Sequence, residues 1–270
     1  MTTFLHKELS YTVRGVLFDV HTQLGPLLPE KFYQTAVATG LENKGIRCET
    51  EKQFDVTYHG IQVGRYYTDI WIENGKLLLE LKVAPEILPI HLAQTISYLK
   101  VTNADIGFVV NFGQVSLADE RIPNYVRDKN PEFNWQDGQP FFDTPDTTLT
   151  NELVKTLHQV HFELGPGFLH QVYRRAVMVA LREQKIGYNY IKEIPIYYQN
   201  TFLGNQETRL ICVEQKILLA TIAVKTIDPA IKQRLRARMK YLQVDFGLIA
   251  NFNSKKLEIN LLNIDNNRLK

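Results

Sequence analysis

Three residues whose side chains could together form a metal site, Asp69, Glu80 and Lys82, lie within the segment YYTDIWIENGKLLLELKV, residues 66–83. Two carboxylates that face each other on apolar strands repel, and like charges placed opposite each other are destabilising. A divalent cation with a lysine beside it would offset that repulsion. The residue types therefore predict a metal site. The alternative is the solvated face of a hairpin that carries an ordinary Glu–Lys pair.

A β-hairpin would bring this trio together. Asn74-Gly75 is a strong signal for a two-residue type I′ turn, and the flanking runs are apolar and β-branched or aromatic. Directly opposed residues share a face, with Cβ atoms about 4.5–5.5 Å apart. Side chains alternate with period two, so Lys82 joins Glu80 on that face. The turn sets a register whose pairs are Glu73–Lys76, Ile72–Leu77, Trp71–Leu78, Ile70–Leu79 and Asp69–Glu80.

Composition indicates a globular protein that works away from membranes. The chain has 270 residues, 44% of them hydrophobic and 22% charged, which suits one large domain or two ordinary ones. The N-terminus lacks the layout of a signal peptide, and no apolar run approaches the ~18 residues of a membrane span. Cys48 and Cys212 are isolated, which favours inert thiols in a reducing cytoplasm.

The net charge of +2 conceals a division between the halves of the chain. Residues 1–150 carry 13 Lys+Arg and 19 Asp+Glu, a net charge of −6. Residues 151–270 carry 18 Lys+Arg and 10 Asp+Glu, a net charge of +8. Such asymmetry predicts either a polyanionic partner or attraction between the halves, which we then expect to pack on each other.

The two halves repeat each other at a fixed offset of 140 residues. Chance would not preserve one ungapped offset across so many special residues, and the matches include glycines and prolines whose backbone roles are specific. The chain is therefore interpreted as a tandem duplication. The aligned segments include His21-x-x-Leu24-Gly25-Pro26 with His161-x-x-Leu164-Gly165-Pro166, Tyr33 with Tyr173, Gly64 with Gly204, Leu78-Leu79 with Leu218-Leu219, Pro89 with Pro229, Gly107 with Gly247, and Asn111-Phe112 with Asn251-Phe252.

Each copy predicts an α/β fold with a mixed central sheet flanked by helices. In the first copy the pattern predicts helices near 8–23, 29–44 and 88–100, and strands near 52–58, 62–72, 76–83 and 106–111. Residues 113–150 are expected to form a connector that its tryptophan and phenylalanines pin to a surface. The predicted organisation is a first domain over 1–126, a linker over 127–150 and a second domain over 151–270.

The second copy serves as an internal control for the first. Asp69 aligns with Arg209, Glu80 with Ala220 and Lys82 with Ile222, whereas the apolar neighbours persist. If folding needed the trio, the second copy would need it as well. Its loss there therefore points to a functional role for the trio in the first copy.

Further residues follow from the same comparison. Glu30, three residues before Tyr33 on one helix face, aligns with His170, so this acid is lost together with the trio. Gln94 and Tyr98 are four apart, share a helix face and align with Arg234 and Arg238. For Gln94 and Tyr98, the alternative is an ordinary packing or capping role. His21 and His161 persist in both copies and are interpreted as structural.

These residues carry a resemblance to the GxxExxY proteins, members of the PD-(D/E)xK nuclease superfamily, and to RecB-like exonuclease modules. The naming motif aligns with Leu27-x-x-Glu30-x-x-Tyr33, with leucine in the place of glycine, and with Gly167-x-x-His170-x-x-Tyr173, where the acid is absent. The nuclease motif aligns with Asp69 and Glu80-x-Lys82, with Thr68 in the place of proline. Gln94-x-x-x-Tyr98 is similar to the QxxxY element of the RecB-like group.

The resemblance implies two tandem restriction-endonuclease-like modules and a metal-dependent nuclease activity. Asp69 and Glu80 would bind the ion, with help from Glu30 and the Leu81 carbonyl. Carboxylates suit Mg²⁺ or Mn²⁺, hard cations that prefer oxygen ligands. Lys82 would orient a water molecule or stabilise charge on the phosphate, and Gln94 would position Lys82 or a phosphate of the nucleic-acid backbone, which we expect to be DNA.

The second copy is predicted to bind nucleic acid without cutting it. Its late helix carries five basic residues, of which the first, third and fifth form an i, i+4, i+8 stripe that could neutralise phosphates. The alternatives are a solvated helix face or a surface that docks onto the acidic first copy. A non-catalytic nucleic-acid-binding or scaffold protein is the competing function for the whole chain. The five residues are Lys232, Arg234, Arg236, Arg238 and Lys240.

Overall fold

The helices and strands of each half follow the same order in a computed structural model that describes residues 5–131, 144 and 146–264. The described residues divide into two compact units. The first module comprises α1 (Lys7–Leu24), α2 (Glu30–Asn43), β1 (Cys48–Tyr58), β2 (Ile61–Ile72), β3 (Leu77–Lys82), α3 (Pro89–Thr102), β4 (Ile106–Asn111) and β5 (Ala118–Pro123). The second comprises α4 (Thr147–Leu164), α5 (His170–Glu183), β6 (Tyr188–Tyr198), β7 (Thr201–Val213), β8 (Ile217–Ile222), α6 (Pro229–Leu242), β9 (Phe246–Asn251) and β10 (Glu258–Asn263).

Each module contains a mixed sheet, as the sequence predicts, and each sheet has five strands, one more than the four predicted for the first copy. The strand orders are β1-β2-β3-β4-β5 and β10-β9-β8-β7-β6, so each sheet follows the chain without interruption. In the first sheet β2 and β3 are antiparallel, β3 and β4 are parallel, and β4 and β5 are antiparallel. The parallel step requires a crossover, which α3 supplies. Among the described residues no helix is both long enough and apolar enough to traverse a lipid bilayer.

The alternation of side chains along β3 separates the core from the candidate site. Leu77, Leu79 and Leu81 belong to the buried cluster formed with α1 and α2. With period two, Glu80 and Lys82 therefore face the opposite side of the sheet, which α3 covers. This arrangement places the polar side chains of β3 beneath α3 and its leucine side chains in the core under α1 and α2.

Gly107 allows α3 to approach the sheet closely. A Cβ atom at this position would lie 2.6 Å from Cγ2 of Thr95 on α3. The same constraint recurs in the second module, where a Cβ at Gly247 would lie 2.5 Å from Sδ of Met239 on α6. This shared close approach explains why the duplication retains a glycine in β4 and in β9.

The turn between β2 and β3 has part of the predicted geometry. It is a short 3₁₀ turn over Glu73–Gly75, and the predicted Glu73–Lys76 pair is not part of the ladder. Asn74 has φ 53° and ψ 34°, Gly75 has φ 97°, and the Lys76 N–H donates to the Glu73 carbonyl at 3.3 Å. Both central residues have the positive φ that a type I′ turn demands. However, Glu73 also has a positive φ, 47°, and Lys76 is helical, so neither flanking residue is extended as predicted. The register agrees with the prediction for the pairs Ile70–Leu79, Trp71–Leu78 and Ile72–Leu77.

The predicted connector is wrong where it includes residues 118–123. These residues form β5, an edge strand that pairs antiparallel with β4. Their sequence, Ala-Asp-Glu-Arg-Ile-Pro, has the polar character expected of an edge strand and lacks the apolar alternation that signals a strand. Helix α4 begins at Thr147, inside the predicted linker, and Asp146 caps it by accepting from the Leu149 N–H. Trp135 and the phenylalanines near it lie outside the described residues.

The tyrosine that the duplication retains has the same structural role in both modules. The Tyr33 hydroxyl donates to the Gly25 carbonyl at 2.6 Å, and its ring stacks on Phe112 with centroids 4.2 Å apart. Tyr173 makes the equivalent contacts with the Gly165 carbonyl at 2.8 Å and with Phe252 at 4.5 Å. In each module the tyrosine therefore holds the Leu-Gly-Pro turn against the end of a central strand.

The two histidines make matching contacts of their own. Nε2 of His21 lies 3.0 Å from the Gln114 carbonyl oxygen, and Nε2 of His161 lies 2.8 Å from that of Ser254. Both rings are buried. These contacts confirm the structural interpretation of the pair.

Candidate active site

Asp69 lies near the end of β2, where its side chain reaches the backbone of β3. Its Oδ2 accepts a hydrogen bond from the Leu81 N–H at 2.6 Å. The regular hydrogen-bonded pairing of β2 with β3 ends at Ile70–Leu79, so Asp69 and Glu80 are not paired across the two strands as predicted. The Asp69 carboxylate instead holds the backbone immediately after Glu80. The two acids are close enough for the charge of Asp69 to raise the pKa of Glu80.

Glu80 lies in the middle of the sheet with an incomplete set of partners. Its side chain is 1% exposed, and Oε1 accepts a hydrogen bond from the Lys82 ammonium at 2.5 Å. Its second oxygen, Oε2, is buried and has no hydrogen-bond partner among the described residues. A buried carboxylate oxygen without a partner costs free energy and calls for an explanation.

Burial perturbs both carboxyl groups in the same direction. Burial raises the pKa of Asp69 to about 6, although the Leu81 hydrogen bond and the charge of Lys82 oppose the rise. Burial, followed by the charge of Asp69, raises the pKa of Glu80 to about 8, although Lys82 again opposes it. The pair therefore holds a proton more tightly than exposed carboxylates do, because its ionised form lacks sufficient positive charge nearby.

Lys82 remains a cation beside these acids. Burial lowers the pKa of its ammonium, but the attraction of Glu80, their hydrogen bond and the charges of Asp69 and Glu30 outweigh burial, so the pKa is raised. A raised lysine pKa presupposes negative charge nearby, whereas a raised Glu80 pKa favours its neutral form. Oε1 of Glu80 is paired with Lys82, whereas Oε2 has no partner among the described residues. We therefore assign a positive charge to Lys82 and infer that Asp69 and Glu80 together take up a proton more readily than exposed acids do.

Glu30 approaches the same site from α2, of which it is the first residue. Its Oε1 accepts from the Val83 N–H, just beyond β3, at 3.2 Å. The charge of Glu30 contributes to the raised pKa of both Asp69 and Glu80. Glu30 and Asp69 line a cavity of about 390 Å³ together with the backbone neighbour Leu81. The structure thus places Glu30 beside the trio and leaves it exposed to solvent.

Two residues of this cavity were absent from the sequence prediction. Gln34 donates through Nε2 to the Asp69 carbonyl at 3.0 Å and to Glu51 Oε1 at 2.8 Å. Glu51 adds a negative charge that raises the pKa of Asp69. Gln34 lies four residues after Glu30 on the same face of α2, so helical spacing could have identified it. Glu51 has no comparable signal, because an isolated acid on an edge strand resembles any solvated charge.

The structure places Gln94 and Tyr98 on α3, where they contact each other. Nε2 of Gln94 lies 3.1 Å from the Tyr98 hydroxyl. Burial, followed by the charge of Glu80, raises the pKa of Tyr98. The Tyr98 ring meets Tyr66 edge-on at 5.6 Å. Tyr98 therefore lies close to Glu80, and the Gln94 amide contacts Tyr98 rather than Lys82.

The donor set suits a hard divalent cation, although it is not preassembled. Among the residues that the structure describes, no three His, Cys, Asp or Glu side chains converge on one point. The oxygens near the site nevertheless belong to buried, mutually repelling carboxylates, one of which has an unpartnered atom. Oxygen ligands of this type are those that Mg²⁺ and Mn²⁺ prefer. A cation would satisfy the oxygen and remove the repulsion.

A family model of the PD-(D/E)XK nuclease superfamily matches residues 7–122 and again 147–262. The chain belongs to this superfamily. The two matched segments are offset by 140 residues, the same offset at which the sequence repeats. The superfamily assignment therefore covers both modules and supports their origin by tandem duplication.

Comparison with solved structures identifies a partial likeness. The crystal structure of SSO0001 is 22% identical, with a TM-score of 0.27, and the match covers 45% of this chain and 57% of that one. The chain thus spans little more than half the length of that protein. No curated protein matched the chain in a sequence comparison.

The second superfamily module lacks the polar trio Asp69, Glu80 and Lys82, and apolar residues of its core occupy two of the three equivalent positions. Ala220 and Ile222, the counterparts of Glu80 and Lys82, pack against the apolar cluster beneath α6. Arg209, the counterpart of Asp69, pairs with Glu207 at 2.5 Å. His170, the counterpart of Glu30, is again the first residue of its helix. The second module therefore preserves the sheet without an acid at any of these positions.

The basic residues of α6 lie on two flanks of the helix. Leu235 and Met239 are its buried residues. At 3.6 residues per turn, Arg236 and Lys240 lie on one side of the buried face that Leu235 and Met239 define, and Arg234 lies on the other side. Arg238 shares the flank of Arg234 and donates to Gln206 Oε1 at 2.5 Å. Lys232 begins the predicted stripe and is partly buried.

Proposed function

We propose that the first module is a metal-dependent nuclease that hydrolyses phosphodiester bonds in nucleic acid, with DNA as the substrate and the cytoplasm as its location. The observation that carries this proposal is the buried Glu80 carboxylate, whose Oε2 has no partner while Asp69 repels it. Folding alone does not account for such an atom, since the second module forms the same sheet with Ala220 in its place.

Asp69 and Glu80 would hold a Mg²⁺ or Mn²⁺ ion, with Glu30 and the Leu81 carbonyl as further ligands. Such an ion, when bound, polarises the phosphate and lowers the pKa of a bound water molecule. Gln34 donates a hydrogen bond to the backbone carbonyl of Asp69, and the Leu81 N–H donates one to the Asp69 carboxylate. These contacts orient Asp69 before any ligand arrives.

Lys82 would stabilise negative charge that develops on the phosphate. Its ammonium is held 2.5 Å from Glu80 and stays protonated because acids surround it. A fixed cation in a site of low polarity stabilises developing charge more effectively than a solvated one. Gln94 and Tyr98 would position this end of the site, because their mutual contact holds the Tyr98 hydroxyl near Glu80.

Calorimetry with Mn²⁺ on the whole protein tests whether the site binds a metal. The wild type should bind Mn²⁺ with measurable heat, and Glu80→Ala should lose that binding. Glu86→Ala, which removes an exposed acid of the same module, is the matched control and should bind as the wild type does. Equal binding by Glu80→Ala and the wild type would contradict the proposed metal site.

The competing function is nucleic-acid binding without cleavage. It is favoured by the second module, in which acids are absent from the aligned site positions and α6 is strongly basic. In our proposal this module binds nucleic acid for the first module to cut. An assay of plasmid, linear duplex, single-stranded DNA and RNA with Mg²⁺ or Mn²⁺ separates the two functions. Binding to these substrates without metal-dependent cleavage would favour the non-catalytic alternative.

A further inference from the structure

Arg174 lies in the second module where Gln34 borders the site of the first. It follows the start of α5 by one turn and is on the same helix face as His170. The residue is only 6% exposed. A guanidinium is rarely buried without an anionic partner, because removal of the charge from water is costly.

The structure gives this guanidinium no such partner. Its central carbon lies 5.6 Å from the centroid of the Tyr190 ring. Among the residues that the structure describes, none makes a hydrogen bond or ion pair with Arg174. Its nitrogen atoms are not among the fully buried polar atoms without a partner, so the tip of the guanidinium reaches solvent. The nearest arginine of the aligned site, Arg209, directs its guanidinium to Glu207 at 2.5 Å. Stacking on an aromatic ring compensates a buried arginine only in part.

The neighbours of Arg174 add positive charge. Burial lowers the pKa of Arg174 and Tyr190 opposes this effect. Repulsion by Arg209 and Arg175 lowers the pKa further, and Glu207 opposes it most weakly. Burial followed by the charges of Arg174 and Arg209 also lowers the pKa of His170.

The polarity of the aligned positions is therefore reversed between the modules. The cavity of the first module contains Glu30, Gln34 and Asp69, and the corresponding positions of the second contain His170, Arg174 and Arg209. His170 keeps part of its surface in solvent although burial lowers its pKa, and the Arg209 side chain is 40% exposed, so the cluster opens to solvent on one side.

We propose that His170, Arg174 and Arg209 together form a basic pocket that binds a phosphate group. A guanidinium presents a rigid fork of donors that matches phosphate oxygens, and the resulting hydrogen bonds are among the strong ones in proteins. A phosphate would supply the anion that Arg174 lacks and would offset its repulsion from Arg209. The pocket lies at the degenerate site and includes none of the basic residues of α6, and its binding does not depend on catalysis by the first module.

Binding of inorganic phosphate to the metal-free protein tests this proposal without reference to cleavage. Arg174→Gln restores the residue that the first module carries at the equivalent position and removes the buried charge. Arg182→Gln removes an equal charge from the exposed far end of α5 and is the matched control. We expect phosphate to raise the melting temperature of the wild type and of Arg182→Gln in a saturable way. Arg174→Gln should bind phosphate at least about tenfold more weakly.

The source of the phosphate is resolved by parallel titrations with a mononucleotide and a short single-stranded oligonucleotide. If the pocket recognises the nucleic-acid backbone, Arg174→Gln weakens oligonucleotide binding more than mononucleotide binding. If it recognises a free phosphate monoester, the reverse holds. Either result supports a phosphate site. Preferential binding of a glutamate-rich peptide over all three phosphate ligands would instead overturn it, since the pocket would then recognise carboxylates.

A second variant keeps the test decisive if Arg174→Gln does not fold. Arg209→Gln changes a partly exposed residue and should also weaken phosphate binding, because it removes a donor group from the pocket. The proposal is overturned if the wild type shows no saturable response to phosphate. It is also overturned if Arg174→Gln, or Arg209→Gln in its place, binds phosphate as tightly as Arg182→Gln. Cleavage by the first module does not enter these measurements, so failure here leaves the proposed nuclease function untouched.

Discussion

The Lys82 ammonium lies 2.5 Å from one oxygen of Glu80, whereas the other oxygen of that carboxylate is buried without a partner among the described residues. One cation therefore serves two acids, because Asp69 lies close enough to raise the pKa of Glu80. Such an arrangement is poor for stability and well suited to a ligand that brings positive charge. We interpret it as stability that the first module gives up for function, a common property of active sites.

The raised pKa of Glu80 predicts a pH-dependent change in stability. The folded protein holds a proton on Glu80 up to about pH 8, whereas the group has an ordinary pKa of 4.5. A raised pKa contributes stability that is present below the unfolded value and is lost as pH rises through the folded value. Glu80→Gln cannot ionise. Its melting temperature should therefore increase relative to the wild type as pH rises from about 4.5 to about 8.

Thermal melts of both proteins in metal-free buffer across this range provide the measurement. Titrating groups that do not interact with Glu80, such as His158 of the second module, whose pKa burial lowers to about 4, are common to both proteins and cancel in the difference. Glu86→Gln should follow the wild type at every pH, because that residue is exposed. A difference between Glu80→Gln and the wild type that stays constant with pH would contradict the assigned burial of the charge.

Leu27 is predicted to be a strained residue that glycine would relieve. It has φ 70° and is 71% exposed, whereas its counterpart Gly167 has φ 115°. The left-handed conformation costs a non-glycine residue about 1–2 kcal/mol. Glycine in turn loses about 0.5–1 kcal/mol of additional chain entropy on folding. Leu27→Gly should therefore raise the free energy of unfolding by about 0.5–1 kcal/mol.

Chemical denaturation of Leu27→Gly beside Leu27→Ala measures this effect. The alanine variant removes the same exposed side chain but retains the constraint on φ, so it should show no gain in stability. Equal stability changes in the two variants would attribute the effect to the side chain instead of the backbone.

Charge reversal on α6 should distinguish nucleic-acid binding from docking between modules. If the stripe binds phosphates, a variant with Lys232, Arg236 and Lys240 changed to glutamate should bind duplex DNA more weakly. The dependence of log affinity on log salt should also flatten by about 0.9 for each phosphate that the variant no longer neutralises. Fluorescence anisotropy at several salt concentrations measures both quantities.

The same variant answers the docking alternative. If the stripe holds the two copies together, its reversal should lower the melting temperature or expand the protein in small-angle scattering, with little change in the salt dependence of DNA binding. A variant with Arg234 and Arg238 reversed provides the comparison, because these residues lie on the other flank of α6. An unchanged affinity, stability and size after reversal of the stripe would leave a solvated helix face as the correct interpretation.

The hairpin could be predicted from sequence because local chemistry determines it. Asn74-Gly75 accepts the positive φ of a type I′ turn, and that turn fixes the register of the strands on either side. The same reasoning placed Asp69 opposite Glu80, but the ladder ends one pair earlier. The Asp69 carboxylate takes the Leu81 N–H as its partner at that point. Competition of a side chain for a backbone donor is a tertiary detail that residue spacing does not encode.

Long-range packing explains the other differences. The edge strand β5 is polar because one side of it faces solvent, so its sequence resembles a loop. Glu51 enters the site only because Gln34 bridges it to the Asp69 backbone. The duplication compensated for part of this difficulty, since the exchange of Glu30, Asp69, Glu80 and Lys82 in the second copy marked these four residues as candidates for function from the sequence alone.

Cleavage by Asp69→Asn tests the central claim most directly. The rate of hydrolysis of DNA with Mg²⁺ or Mn²⁺ should be measured for this variant, for the wild type and for Asp19→Asn, which alters an exposed acid on α1. Circular dichroism should show that all three proteins are folded. We predict that Asp69→Asn loses about 10²–10³-fold in rate or more, while Asp19→Asn cleaves as the wild type does. Cleavage by Asp69→Asn at the wild-type rate would contradict the assignment of the active site to the first module.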